Sequence, residues 1–203
     1  MSRTDVMKSL LRSAATTAGA QLGRIASLRR VLGELMQRRL KLDDSKLTAA
    51  VARAPEVTAA TVTTRGGQLR VDASFRNGES LLVHLTSLKT TFAPRGVKEW
   101  SMRTEPETAV YDPRCADVVA ALAAEVARTL WGPILRGNVS RGQRALAHRD
   151  GAMLVVDLRT VPEVRAALNQ PLLAAAIEAF GLRSIEVCEG GLRLVPNVGG
   201  LEV

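Results

Sequence analysis

Between residues 60 and 105 apolar and polar positions alternate with the two-residue period of half-buried strands. Leu69, Val71, Ala73 and Phe75 form one apolar row, Asn77-Gly78 marks a hairpin turn, and Leu81, Val83 and Leu85 form the returning row. Pro94-Arg95-Gly96 supplies another turn, and Trp100 and Met102 continue the same inward face. This pattern predicts an antiparallel meander. The period then changes. From Asp112-Pro113 to Trp131-Gly132-Pro133, Val118, Val119, Leu122, Val126 and Leu130 recur at helical spacing, which predicts a helix laid against the sheet. Residues 136–151 read as a solvated polar linker, and Met153 to Leu158 as an apolar strand. A helix follows through Val164, Ala167 and Leu168 to a break at Gln170-Pro171.

Two stretches more than a hundred residues apart echo each other. Residues 47–71 read LTAAVARAPEVTAATVTTRGGQLRV and residues 172–194 read LLAAAIEAFGLRSIEVCEGGLRL. Leu47, Ala49, Ala50, Ala54 and Val62 fall on Leu172, Ala174, Ala175, Ala179 and Val187, and each copy closes on a Gly-Gly pair and Leu-Arg-aliphatic. The turn of the first copy is two residues longer. An even insertion keeps strand parity, so both copies are expected to form a short Ala-rich helix followed by a hairpin with the Gly-Gly pair at its turn. Such units are also common without duplication, and two short copies leave both origins open.

Residues 5–40 carry Leu11, Ala15, Ala18, Leu22, Ile25, Leu28, Leu32 and Leu35 along one helical stripe. Charge changes the meaning of that stripe. Residues 1–42 hold nine basic groups against Asp5 and Glu34, a net of +7 in a chain of net +8. The basicity belongs to this segment, so the organisation expected is a basic amphipathic helical arm, 1–42, and a single α+β body, 43–203. Arg24, Arg29, Arg30, Arg38 and Arg39 are its candidate contacts to an anionic membrane surface. Pairing of the stripe with a second copy, giving a homodimer, is the competing expectation, and nucleic acid stays open as a polyanion although no groove-reading motif is present. The few aromatic residues (Phe75, Phe92, Trp100, Tyr111, Trp131 and Phe180) argue against a base-stacking platform. With no export signal and no long apolar run, a cytoplasmic, peripheral location is expected.

Catalytic patterns are sparse. His84 and His148 have no triad spacing, and with Cys115 and Cys188 they have no metal-ligand spacing. Cys115, beside a helix start, is read as a small helix-start residue, an activated thiol being the alternative. The chain is expected to be non-enzymatic, without cofactor or metal.

The segment 153–195 (MLVVDLRTVPEVRAALNQPLLAAAIEAFGLRSIEVCEGGLRLV) then gains a context. Its Gly181, Leu182, Ser184, Val187, Gly190 or Gly191, and Leu192 resemble the closing hairpin of bacterial tubular lipid-binding, or TULIP-like, domains. The preceding order of Ala-rich helix, meander and amphipathic helix extends the resemblance over about residues 45–196. It implies a curved antiparallel sheet wrapped on a long helix, with an apolar gap that takes an acyl lipid or another apolar ligand. Those relatives are commonly exported or lipid-anchored, whereas this chain carries a basic helix. The residues expected to face the gap are Val71, Phe75, Val83, Leu85, Trp100, Leu154, Val156, Ile177, Val187 and Leu194. The same row would equally make a dry core.

Overall fold

The chain divides into two compact units, Met1–Arg38 and Arg39–Val203. The computed structural model describes residues 40–92, 96–132, 135, 145–179 and 181–197, all in the second unit. The expected helical arm lies outside the described residues. Its boundary moves, however. Leu40–Asp43 form strand β1, with Leu40 opposite Leu194 and Leu42 opposite Leu192, and Leu42 is fully buried. The apolar parity of three residues assigned to the arm draws them into the body instead.

The elements that follow are α1 (Asp44–Val51), β2 (Val57–Arg65), β3 (Gln68–Phe75), β4 (Ser80–Phe92) and β5 (Lys98–Glu105). A 3-10 turn (Glu107–Tyr111) leads to α2 (Pro113–Trp131), then β6 (Ala147–Asp150) and β7 (Met153–Asp157). A second 3-10 turn (Leu158–Thr160), α3 (Pro162–Leu168), α4 (Pro171–Ala179), β8 (Gly181–Cys188) and β9 (Gly191–Asn197) complete the described fold. The strands form two antiparallel sheets, one of six strands in the order β2-β3-β4-β5-β7-β6 and one of three in the order β1-β9-β8. The fold is mixed α+β.

Helix α2 starts sharply because Pro113 pre-sets its first turn and the Asp112 carboxylate accepts the Arg114 backbone N–H at 2.9 Å. Its 19 residues span about 28 Å. Val118, Val119, Leu122, Val126 and Leu130 are buried as their spacing requires, but Ala120, Ala123, Ala124, Ala127 and Trp131 are buried as well. The helix is thus enclosed on two sides, packing on β4, β6 and β7 of the larger sheet, on β1 of the smaller, and on α1. Small alanines permit this close approach from the second side.

Strand β6 is a departure from the sequence pattern. Ala147–Asp150 falls in the expected linker and pairs with β7, although most of it is exposed. A polar edge strand has no apolar alternation to betray it, and its place is set by the neighbour it pairs with.

Both Gly-Gly hairpins form, each after its Ala-rich helix, but in different sheets. In the first, Arg65 pairs with Gln68, and Gly66 and Gly67 both take positive φ, 59° and 80°. Such a turn matches the twist of a two-residue hairpin. In the second, Cys188 pairs with Gly191, so Glu189 and Gly190 make the turn and Gly191 already lies in β9. The pairings also differ by two residues: Val62 faces Val71, whereas Val187 faces Leu192. An even difference preserves which side chains face inward.

The two turn ends meet. Asp44 stands one place further on than an N-cap, and its carboxylate reaches across to β2 instead of capping α1. It accepts the Thr64 backbone N–H at 3.1 Å and the Thr64 hydroxyl at 2.7 Å. The Gly190 N–H donates to the Thr64 carbonyl at 3.3 Å, and the Asp44 N–H donates to the Gly190 carbonyl at 3.4 Å.

Candidate functional site

Seven of the expected inward residues lie on the larger sheet: Val71 and Phe75 on β3, Val83 and Leu85 on β4, Trp100 on β5, and Leu154 and Val156 on β7. All seven are buried. The register sets them side by side, with Val71 opposite Val83, Leu69 opposite Leu85, and Trp100 opposite Val156. On the smaller sheet Leu194 is buried opposite Leu40 and Ile185, and Val187, near the turn, is half-buried. Ile177 of α4 is buried. Arg24, Arg29, Arg30, Arg38 and Arg39 lie outside the described residues.

The two sheets are joined by side chains at a bulge. Ser87 keeps the inward parity of Val83 and Leu85, opposite Met102, and the β4–β5 register shift between Ser87 and Lys89 brings Thr90 to the same inner face, opposite Trp100. Trp100 Nε1–H donates to Ser87 Oγ at 2.9 Å, and the Ser87 hydroxyl donates to the Ile185 carbonyl at 3.0 Å. The Ile185 N–H donates to Thr90 Oγ1 at 3.2 Å. Both backbone groups of Ile185 that point away from β9 are therefore satisfied by β4 side chains, as burial demands. A few side-chain hydrogen bonds replace a strand ladder along this seam between β4 and β8.

Beside the seam stands a charge. Lys98 continues the inward parity of Trp100 and Met102, opposite Phe92, and its side chain is fully buried. Its Nζ donates to the Glu178 carbonyl at 3.5 Å and stands 3.9 Å from Glu178 Oε2, a carboxylate oxygen that is buried with no hydrogen-bond partner. Desolvation pulls the lysine below its ordinary range. The Glu178 charge opposes that shift, Arg159 adds to it, and Asp157 opposes it. Burial alone would raise Asp157, but the paired Arg159 guanidinium, with contacts of 3.1, 2.9 and 2.6 Å, holds it low.

At Phe75 a cleft of about 180 Å³ is lined by Pro55, Glu56, Phe75, Asn77, Arg114 and Asp117. Arg114 lies 5.5 Å over the Phe75 ring and is tied to Asp112 and Glu79, at 2.8 and 2.5 Å. The cation is engaged by its own neighbours, and this cleft makes a braced corner.

Cys115 belongs to the core. Burial first, and the Asp112 charge second, push its thiol up to about 12, the reverse of the activation its helix-start position suggested. An alkylating reagent at pH 8 is expected to modify Cys188 in the native protein, and Cys115 only as fast as the body unfolds. Rapid native alkylation of Cys115, read by peptide mass spectrometry, would contradict this packing.

His84 sits half-buried on the outer face between Arg70 and Glu105, while exposed His148 lies on β6. Among the described residues no cluster of His, Cys, Asp or Glu could hold a metal ion, and no helix is long and apolar enough to cross a membrane. No family model, curated protein or solved structure matches the chain.

Sequence reasoning missed Lys98, Ser87, Thr90 and Glu178. One signal was present for Lys98, which is a lysine on the apolar parity of its strand. The seam had none, because a bulge between Ser87 and Lys89 carries no Gly or Pro to mark it.

Proposed function

We propose that the body is a non-enzymatic, TULIP-like binding domain that takes an acyl lipid or another apolar ligand between its two sheets. In this reading the larger sheet curves around α2, and the residues from Val71 to Leu194 named above line the space. The observation that carries the reading is the seam. Among the described residues, an interior of aliphatic side chains around a helix enclosed on two sides is closed at β4–β8 by hydrogen bonds from β4 side chains and not by a strand ladder. Each such bond contributes about 0.5–1.5 kcal/mol net, so parting this line costs far less than breaking a strand ladder. A chain of methylenes entering there meets Val, Leu and Ile, and gains roughly 0.8 kcal/mol per buried CH₂. Support for the wrapped arrangement comes from the contacts of α2 with both sheets.

The basic arm would hold the protein reversibly at an anionic membrane surface on the cytoplasmic side. Each basic residue near such a surface contributes up to about 1 kcal/mol, so several act together and none alone decides. Two measurements test the proposal. Organic extraction of the purified full chain, followed by mass spectrometry, is expected to release an acyl lipid, and a protein that carries none and takes up none from vesicles would end the binding reading. Replacing Arg24, Arg29, Arg30, Arg38 and Arg39 with glutamine is expected to weaken sedimentation with anionic vesicles and abolish its salt dependence. If the parent chain ignores vesicles of every anionic content but forms a dimer that needs residues 1–42, the arm serves self-assembly instead.

A further inference from the structure

The chain has two tryptophans, both fully buried, and their indole N–H groups are treated differently. Trp100 Nε1–H donates to Ser87 Oγ at 2.9 Å, inside the seam. Trp131 Nε1–H is buried with no hydrogen-bond partner among the described residues. The other buried side-chain atoms in that condition are carboxylate oxygens of Glu163 and Glu178. Each of those carboxylates has a cation beside it, Arg128 at 2.8 Å and Lys98 at 3.9 Å. An indole carries a single polar atom, so nothing else compensates at Trp131. Buried donors are nearly always bonded, and one left over marks a place for an acceptor.

The position of that donor points to the ligand space. Trp131 ends α2, and its ring lies on Phe92, with centroids 6.4 Å apart and planes inclined by 31°. Phe92 is buried on the inner face of β4, two residues beyond Thr90, which accepts the Ile185 N–H of β8. The indole thus stands one aromatic ring away from the seam. Its chemistry selects the acceptor. An indole donates and does not accept, so it calls for an oxygen lone pair. It brings no charge, and Lys98, opposite Phe92, already has the Glu178 carboxylate for counter-ion and donates to the Glu178 carbonyl at 3.5 Å. A further carboxylate would therefore be buried without a cation of its own, which is costly. A neutral carbonyl supplies the lone pair and buries no charge.

We infer that Trp131 is the hydrogen-bond donor to the carbonyl oxygen of an acyl ester whose hydrocarbon tail lies along the aliphatic row. This rests on the binding reading above and names its ligand. A hydrocarbon without oxygen fits the same row but leaves the donor unmet. Recognition is of the ester carbonyl.

Methyl decanoate, undecane and decanoate, each titrated into the isotope-labelled full-length protein, test this through the two indole N–H resonances. Methyl decanoate is expected to move the Trp131 resonance downfield and slow its exchange with water, while Trp100, already bonded to Ser87, moves less. Undecane is expected to bind without the downfield shift. Trp131→Phe keeps an aromatic ring against Phe92 and identifies the resonance by removing it. This variant is expected to weaken methyl decanoate by about three- to tenfold, the worth of one neutral hydrogen bond, and to leave undecane unchanged. If Trp131→Phe does not fold, the shift in the parent protein carries the test, assigned through its nuclear Overhauser contacts with Phe92. A Trp131 resonance that the ester leaves in place, or equal ester affinity in parent and variant, overturns the donor and leaves the binding domain standing. Tighter binding of decanoate than of its methyl ester overturns the choice of a neutral carbonyl. Binding of none of the three compounds removes both readings.

Discussion

Replacing Gly191 with alanine is expected to destabilise the body by about 3 kcal/mol or more, whereas the same change at Gly66 should cost about 1 kcal/mol. The two glycines fall in the corresponding Gly-Gly pairs of the echoed segments, yet they do different work. Gly66 has a positive φ of 59° and open space where a Cβ would stand. An alanine there meets only the intrinsic penalty of the left-handed region, about 1–2 kcal/mol per residue at most. Gly191 lies between two strands, opposite both Asp43 of β1 and Cys188 of β8. A Cβ at Gly191 would stand 2.2 Å from the Leu42 carbonyl oxygen, 3.0 Å from its carbon and 3.1 Å from Asp43 Cα, and its φ is 154°. Those are backbone atoms and cannot swing away. Accommodation means moving β1 off β9, which unseats fully buried Leu42 and opens its pairing with Leu192. For a body of this size 1 kcal/mol corresponds to roughly 2–4 °C in Tm, so Gly191→Ala should lower Tm by about 6–12 °C. Equal losses for the two variants in thermal melts would show that β1 does not pack here as described.

That contrast shows what kind of information the sequence held. Strand faces were legible because alternation assigns every second residue at once: Val71, Phe75, Val83, Leu85, Trp100, Leu154 and Val156 all share the inner face. The long helix was legible from its spacing and from Asp112-Pro113. Partition into two sheets was not. Local pattern shows that 181–197 makes a hairpin, but which strand lies next to it depends on Leu40 and Leu42, far away in sequence and sitting at the foot of the basic arm. The one-residue shift after Ser87 was equally invisible, and it is what turns the Thr90 hydroxyl toward Ile185, beside that of Ser87. Buried charge was half visible. Lys98 keeps the parity of the apolar row, so its burial follows from Trp100 and Met102, while its counter-ion Glu178 comes from a helix whose docking no local rule specifies. Val187, placed in the row by parity, is half-buried because it stands near the sheet's end.

The other large effect is expected at the meeting point of the two echoed hairpins. Asp44→Ala removes the acceptor for two groups of Thr64, its N–H and its hydroxyl, at a residue that is only 3% exposed. Each donor left without a partner in such a place costs about 1–3 kcal/mol, so a loss of about 2–4 kcal/mol is expected in urea unfolding. Thr64→Val deletes the hydroxyl but keeps the N–H bond to Asp44, and should cost about 1 kcal/mol. In the double variant the hydroxyl no longer needs an acceptor, so its loss should fall short of the two single losses combined by about 1 kcal/mol. The contact matters beyond its own bonds, because the Thr64 carbonyl also takes the Gly190 N–H and the Asp44 N–H holds the Gly190 carbonyl. The turn of the smaller sheet is thereby fastened to the end of the larger one. Loosening it should speed hydrogen exchange in β8 and β9 before it does so in β3 and β4, whose ladder is independent of Asp44. Strictly additive losses, or exchange that quickens uniformly through both sheets, would mean that Asp44 merely steadies α1 and does not tie the sheets together.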